Sequence, residues 1–170
     1  MNTTIDGPTS DAYVLAAADG ERIWIAGDTM TIKASASTTG GSLSLMEIEC
    51  SAGGGPPPHI HIREDEALYV LDGEFEILIG ERVRSCGPGA FAFIPRGTIH
   101  RFAYTGESAG RILALFTPGG IDGFFREAGR PATDDGPAPP IDEHEITLTN
   151  TAGERYGLKV VAWEDQGRAT

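Results

Sequence analysis

Residues 53–73 read GGGPPPHIHIREDEALYVLDG, and this stretch decides the fold of the chain. His59 and His61 stand two residues apart, and side chains two apart on a β-strand point to the same face. After a short interruption, Glu66 is expected to return to that face. Neutral imidazole is the commonest protein metal ligand, and imidazoles with one carboxylate suit Fe(II), Mn, Ni, Co or Zn better than Ca or Mg. The stretch therefore predicts strands that present part of a transition-metal site.

A second stretch, residues 89–104, supplies a further candidate ligand, His100. This histidine comes from a separate, later strand, as a site inside a closed sheet requires, because no single strand surrounds an ion. Four protein ligands leave two positions of an octahedral field open, and open positions distinguish a reactive site from a closed structural one. We expect one divalent transition metal to be bound by His59, His61, Glu66 and His100.

The two stretches together resemble the two motifs of the cupin superfamily. The first motif, G-x5-H-x-H-x4-E-x6-G, is matched at every fixed position from Gly53 to Gly73. The second motif, G-x5-P-x-G-x2-H-x3-N, is matched from Gly89 to His100 but has Tyr104 in place of its final asparagine. That asparagine is not a metal ligand. The resemblance implies an all-β fold, the cupin double-stranded β-helix or jelly-roll barrel, with short helices after it.

The rest of the chain fits this fold class. Short apolar stretches alternate with Gly, Pro and Asp turn signals, which is typical of an all-β barrel or sandwich. Hairpin turns are expected at Gly73 and near Gly80, because glycine adopts the positive φ that other residues resist. The predicted strands are 13–17, 21–26, 29–34, 42–50, 59–62, 67–71, 74–79, 81–86, 90–94, 100–104 and 111–117.

A single cupin domain is predicted for residues 1–170, since this length falls within the range of one domain. The barrel core is expected at about 29–117, and 118–170 is expected to form a C-terminal extension of helices and a strap. Within the extension the sequence predicts a helix over 121–128, a linker over 130–140, a helix over 142–156 that ends at Gly157, and an apolar segment over 158–163 that adds a strand or covers a pocket.

The composition excludes several classes of partner. Thirteen basic and 25 acidic residues give a net charge of −12, which repels nucleic-acid phosphates and anionic membrane surfaces. No window reaches the length of a membrane span, and the first ten residues lack a basic segment followed by an apolar run, so we expect a cytoplasmic protein. Cys50 and Cys86 are too few for a disulfide framework. His144 lies in an acidic stretch and is expected at the surface.

Strand parity predicts an apolar and aromatic pocket wall beside the ligands. Some candidates share a face with Glu66 or His100. Others form pairs on one face of a strand, and the sequence leaves open which face is inside. At least half of the set is expected to be ordinary core. A pocket with few polar groups suits a flat aromatic or polyketide-like molecule better than a sugar. The candidate pocket residues are Met46, Ile48, Leu68, Phe91, Phe93, Phe102 and Tyr104.

The resemblance also implies an activity. The chain is similar to quercetinase-like bacterial cupins. This implies a metal-dependent dioxygenase that uses Fe, Ni, Co or Mn, dioxygen and an enolic or phenolic aromatic substrate, with Glu66 as candidate base. A zinc-dependent polyketide cyclase or isomerase, and a non-catalytic module that binds a small molecule, stay open as alternatives. A homodimer is expected, with the apolar segments 13–17 and 23–26 pairing with a sheet edge of the partner.

Overall fold

The structure, a computed structural model, describes residues 10–134 and 136–161, and its strands form two β-sheets. The strands are β1 Glu21–Ile25, β2 Asp28–Ala34, β3 Ser44–Cys50, β4 His59–His61, β5 Asp65–Asp72, β6 Phe75–Ile79, β7 Arg82–Cys86, β8 Phe91–Ile94, β9 His100–Tyr104, β10 Gly110–Thr117, β11 Arg130–Pro131 and β12 Leu158–Val160. Two helices, α1 Asp122–Ala128 and α2 Glu143–Tyr156, follow the main strands.

The order of the strands within the sheets is not their order in the chain. The seven-stranded sheet runs β11-β1-β2-β3-β10-β5-β8, and the five-stranded sheet runs β12-β4-β9-β6-β7. All the strand pairings in these two sheets are antiparallel. The chain therefore crosses repeatedly from one sheet to the other, which confirms the predicted all-β jelly-roll architecture.

The hydrophobic core lies between the inner faces of the two sheets. Burial alternates along β3, where Met46 and Ile48 are buried while Glu47 and Glu49 face outward. From the five-stranded sheet, Phe75 is fully buried in the same cluster. Each such side chain contributes about 1.5 to 3 kcal/mol through removal of apolar surface from water. Cys50 is buried, Cys86 is half-buried, and neither forms a disulfide, as predicted.

The predicted strand over 13–17 is wrong. Residues 11–16 form no regular structure, and Val14 is 94% exposed. A strand needs a free sheet edge, and β11 already occupies the outer edge of β1. Side-chain contacts hold the segment instead, since Tyr13 Oη donates to the Lys33 carbonyl at 3.0 Å and Lys33 Nζ donates to the Ala17 carbonyl at 2.6 Å. The homodimer through this segment stays a prediction.

The C-terminal extension agrees with its predicted elements. Helix α2 begins after Asp142, whose carboxylate accepts from the Glu145 amide at 2.8 Å, and ends at Gly157 in the left-handed conformation. Strand β12 then pairs with β4, which places the extension beside the predicted ligand histidines. Residues 162 and 163 of the predicted last segment lie outside the described residues. None of the helices in the described ranges is long and apolar enough to cross a bilayer.

Gly73 provides a test of the barrel's hairpin geometry. It has φ +83°, and an added Cβ would lie 2.6 Å from the Tyr104 ring, whereas Gly80, with φ +61°, has open space at that position. Gly80→Ala is expected to lower the free energy of unfolding by about 1 to 2 kcal/mol through backbone strain alone. Gly73→Ala should lower the free energy of unfolding by about 1 to 3 kcal/mol more than Gly80→Ala does, because Tyr104 must shift in a close-packed core. Chemical denaturation measures both, and equal losses would contradict the tight contact.

Candidate metal centre

Three strands from two sheets bring the predicted ligands together. His59 and His61 lie on β4 and His100 lies on β9, both in the five-stranded sheet, while Glu66 lies on β5 of the seven-stranded sheet. His59 is the register partner of His100. The four side chains are buried, and each offers a ligand atom within 4.8 Å of the others. The cluster therefore lies inside the barrel, between its two sheets.

Backbone carbonyls fix the orientation of two of the imidazoles. Nδ1 of His59 is 2.9 Å from the Pro57 carbonyl oxygen, and Nδ1 of His100 is 2.9 Å from the Thr98 carbonyl oxygen. A carbonyl only accepts, so each Nδ1 carries the hydrogen and donates it. In the neutral ring of His59 the lone pair is then at Nε2, as a metal ligand requires. His100 reaches the same state when its Nε2 gives up the hydrogen that it donates to Glu66.

Burial keeps two histidines neutral. It lowers the pKa of His59 to about 3 and the pKa of His61 to about 4, because the interior disfavours the charged ring. The positive charge that His100 carries when protonated acts in the same direction on both groups. At neutral pH these two rings therefore offer lone pairs without first having to lose a proton.

Glu66 and His100 form a coupled pair. Burial by itself would raise the pKa of Glu66 and lower that of His100, but their 2.7 Å hydrogen bond between Oε2 and Nε2 reverses both directions. The pKa of Glu66 is thus lowered and that of His100 is raised. The same carboxylate oxygen lies 3.4 Å from Nε2 of His61. Glu66 is therefore an ionised carboxylate turned toward the imidazoles.

These residues fit a divalent transition metal. Three imidazoles and one carboxylate are ligand types that Fe, Mn, Co, Ni and Zn accept, and four protein ligands leave room for a substrate or a water. Burying four polar side chains together costs stability. A bound cation is the group that would offset this cost. The ligand types alone leave the identity of the metal open.

A cavity of about 100 Å³ lies beside the cluster, and His59, His61 and Glu66 form part of its wall. Apart from these ligands, Asp28 and Thr149 are the polar side chains among the described lining residues, and no Arg or Lys lines the cavity there. Much of the remaining wall is apolar or aromatic: Ile48, Phe102, Phe116, Phe124, Phe125 and Leu158.

Residues 46–116 match the family model of the cupin domain, and the matched segment includes the whole His/His/Glu/His cluster. This match supports the cupin superfamily. Solved structures resemble the chain as well. KdgF from Halomonas sp. is 27% identical, with a TM-score of 0.51, over 56% of this chain and 83% of that one. A predicted oxalate decarboxylase from Thermotoga maritima is 18% identical, with a TM-score of 0.59, over 62% of this chain and 99% of that one, and shares the fold.

Plant proteins are among the curated relatives of the cupin domain. Germin-like protein subfamily 2 member 2 of Arabidopsis thaliana is 30% identical over 130 residues, which are 70% of this chain and 55% of that protein. Nectarin-1 of Nicotiana langsdorffii x Nicotiana sanderae is 26% identical over 118 residues, which are 63% of this chain and 47% of that protein. The chain thus spans about half the length of these two relatives.

The predicted pocket residues fall into three groups, which line the cavity, lie in the core or lie on the outer surface. Ile48 and Phe102 line the cavity. Three others are buried in the hydrophobic core and do not line it: Met46, Leu68 and Tyr104.

Phe91 and Phe93 require a correction, because they lie on the outer face of β8 and are 66% and 54% exposed. Ile94 of β8 is buried and turns inward. Side chains alternate along a strand, so Phe93, one residue before it, and Phe91, three residues before it, turn outward. His144, in contrast, is exposed as predicted.

Sequence reasoning missed several cavity residues. Thr149 on α2 lines the cavity, and its hydroxyl is buried without a hydrogen-bond partner among the described residues. Phe124 and Phe125 on α1 line it as well. No spacing rule connects a helix to a distant barrel, so parity along single strands gave no signal for these residues. Glu64, between the ligands His61 and Glu66, is also buried and had no predicted role.

Asp28 is the one carboxylate of the described cavity wall outside the ligand set. It is 4% exposed and accepts from the Gly55 amide at 2.9 Å and from the Ser51 amide at 3.3 Å. Burial raises its pKa from 3.8 to about 6, although both amides act to lower it. The folded protein therefore binds this proton more tightly than the unfolded chain does.

The raised pKa of Asp28 predicts a loss of stability with rising pH. Its contribution is fully present below the unfolded pKa of 3.8 and is lost as the pH rises through the folded pKa of about 6. The free energy of unfolding of the metal-free parent, relative to Asp28→Asn, should fall by about 2 kcal/mol between about pH 4 and about pH 7.

Denaturant titrations of the two proteins measure this difference. Asp65→Asn is the control, because the Arg96 side chain lowers the pKa of Asp65 to about 2. The stability of the parent relative to that variant should stay nearly constant over the same pH range, since the unfolded pKa of an aspartate lies at its lower end. A flat difference for Asp28→Asn would contradict the raised pKa.

Proposed function

We propose that the protein is a metal-dependent dioxygenase of the quercetinase-like type, which oxidises a small enolic or phenolic aromatic molecule. The observation that carries the proposal is the apolar cavity that opens directly onto the buried cluster of His59, His61, Glu66 and His100. Iron, nickel, cobalt or manganese held by these residues would supply Lewis-acid and redox chemistry at that point.

The size of the cavity limits the substrate. About 100 Å³ is less than the roughly 300 to 1,000 Å³ of typical pockets for drug-sized ligands. A one-ring phenol or enol, or the reacting end of a larger molecule, suits this volume. Dioxygen is small and apolar, and suits the same surroundings.

The polarity of the wall limits the substrate as well. A sugar would bury several hydroxyls that need hydrogen-bond partners, and a dicarboxylate would need a cation beyond the metal. Among the described lining residues, no Arg or Lys provides the cation that a dicarboxylate would need. Thr149 offers one free hydroxyl, whereas Thr147 and Thr151 on the same helix donate theirs to backbone carbonyls at 2.9 Å. The wall thus favours a flat molecule with one polar end and one further acceptor.

Glu66 has the properties of a catalytic base. Although burial disfavours the charge, the hydrogen bond with His100 lowers its pKa and keeps it ionised at neutral pH, which is the form that a base must start from. It lies on the cavity wall, within reach of a substrate hydroxyl. Removing that proton produces the enolate or phenolate that reacts with dioxygen. The surrounding phenylalanines exclude water and strengthen the interaction of this anion with nearby positive charge.

The pairing of Glu66 with His100 also favours a second candidate function, a zinc-dependent cyclase or isomerase. The two groups share a proton across 2.7 Å and are buried beside the cavity. Such a pair moves protons between carbon and oxygen without any need for dioxygen. The two functions differ in whether turnover consumes oxygen.

Oxygen consumption tests the proposal. The metal-free protein is reconstituted separately with Fe(II), Mn(II), Co(II), Ni(II) and Zn(II) and mixed with a panel of catechols, flavonols and one-ring enols. We expect oxygen uptake that matches substrate loss with at least one redox-active metal, and none with zinc. Equal substrate conversion in the absence of oxygen would contradict a dioxygenase and support the cyclase or isomerase.

In this assay Glu66→Gln tests the role of Glu66 as the base, and His144→Ala is the control. Glutamine keeps the shape and one coordinating oxygen but removes the charge and the basicity, so turnover should fall about 10²- to 10⁴-fold while most of the metal is retained. His144 is exposed and outside the cluster, so its replacement should leave turnover unchanged. A fully loaded Glu66→Gln variant that turns over at the parent rate would exclude Glu66 as the base.

A further inference from the structure

Two buried polar atoms beside the metal centre lack hydrogen-bond partners among the described residues. They are Nδ1 of His61 and Oε2 of Glu64, which lie 3.8 Å apart. The side chains are 3% and 5% exposed, so water does not compensate for the missing bonds. An unsatisfied buried polar atom costs about 1 to 3 kcal/mol, and two such atoms facing each other therefore call for an explanation.

His61 differs from the other two ligand histidines in this respect. His59 and His100 each use Nδ1 to donate to a backbone carbonyl two residues earlier, which turns Nε2 toward the cluster. His61 has no carbonyl in that role. Its Nε2 nevertheless faces Glu66, at 3.4 Å. The nearby carboxylate of Glu64 is the group that stands where a carbonyl stands for the other two rings.

The position of Glu64 is prepared by its own turn. It lies between β4 and β5, three residues after His61, and the backbone amides of Arg63 and Glu64 face its carboxylate. Oε2 of this carboxylate lies 3.8 Å from Nδ1 of the imidazole. Asp28, another buried carboxylate, accepts from the amides of Ser51 and Gly55 instead.

We propose that Glu64 is a positioning residue of the metal centre, whose carboxylate closes the 3.8 Å gap and accepts the Nδ1 hydrogen of His61 when a metal takes the lone pair at Nε2. The inference rests on the metal centre within the proposed function and not on the reaction. Burial raises the pKa of Glu64, but a bound divalent cation would favour its ionised form, which adds a second negative charge to that of Glu66. Carboxylates that orient ligand histidines in this way raise metal affinity by about 10- to 100-fold.

Two variants separate the two contributions. Glu64→Gln keeps an oxygen that accepts from Nδ1 but removes the negative charge, so it should retain this hydrogen bond and weaken metal binding. Glu64→Ala removes both, so it should weaken binding more. Asp65→Asn is the matched control, because it removes a charge from the neighbouring residue, which pairs with Arg96 at the surface rather than with a ligand.

The first readout is the dissociation constant for Zn(II) and Co(II), measured by competition with a chelator and without any substrate. Relative to the parent, we expect weakening by about 10- to 100-fold in Glu64→Ala, a smaller loss in Glu64→Gln, and less than about threefold in Asp65→Asn. Thermal unfolding of the metal-free proteins checks that each variant is folded. Because Glu64→Gln preserves the shape, it serves as the test if Glu64→Ala fails to fold.

The second readout is the Nδ1 hydrogen of His61 in the zinc-loaded protein, measured by NMR from its exchange with water. The parent and Glu64→Gln should show slow exchange, because an acceptor holds this hydrogen, and Glu64→Ala should show faster exchange. Metal affinity within about threefold of the parent in both Glu64 variants, or unchanged exchange in Glu64→Ala, would overturn the role of Glu64. A parent that binds metal but consumes no oxygen would instead count against the dioxygenase and leave this inference standing.

Discussion

The packing of the two sheets against each other is the constraint on which the candidate metal centre depends. Three of its ligands come from the five-stranded sheet, and Glu66 comes from the seven-stranded one. Within the first sheet, His59 pairs in register with His100. A slip of one residue in that pairing would turn an imidazole to the outside. The buried core between the sheets therefore does more than stabilise the barrel, because it fixes the distance across which the ligands meet.

Burial has opposite effects on the stability and on the chemistry of this site. Removing histidines and a carboxylate from water costs free energy, yet it also keeps His59 and His61 neutral and available as ligands. Glu66 stays ionised because His100 donates to it. The C-terminal extension contributes to the same balance, since β12 pairs with β4 and its Leu158 lines the cavity. The apolar cavity and the polar cluster are thus two consequences of one packing arrangement.

The sequence predicts those features of the fold and the site that depend on local patterns of residues. The spacing of His59, His61 and Glu66 and the period of a strand are local properties, so the ligands and most strands follow from them. The alternation of side chains along a strand shows that Phe91 and Phe93 share a face of β8. It does not show whether that face is inside the barrel, which depends on Ile94 turning inward.

Other features depend on distant parts of the chain. Residues 13–17 form no strand because β11 holds the edge they would need. The place of Thr149 on the cavity wall depends on how α2 packs on the barrel. For Glu64, a signal was present in the sequence, since a carboxylate three residues after a ligand histidine is within reach of it when the chain turns between two strands. Only the fold shows that this turn brings the two side chains to 3.8 Å.

The claim that these four side chains form one metal centre is tested most directly by metal stoichiometry. The parent and the single variants His59→Ala, His61→Ala, His100→Ala and His144→Ala are reconstituted with Co(II), dialysed, and analysed for metal and for folded structure. The account predicts about one ion per chain in the parent and in His144→Ala, and loss of most of that metal in the other three while the barrel stays folded. Unchanged metal content in the three cluster variants would contradict it.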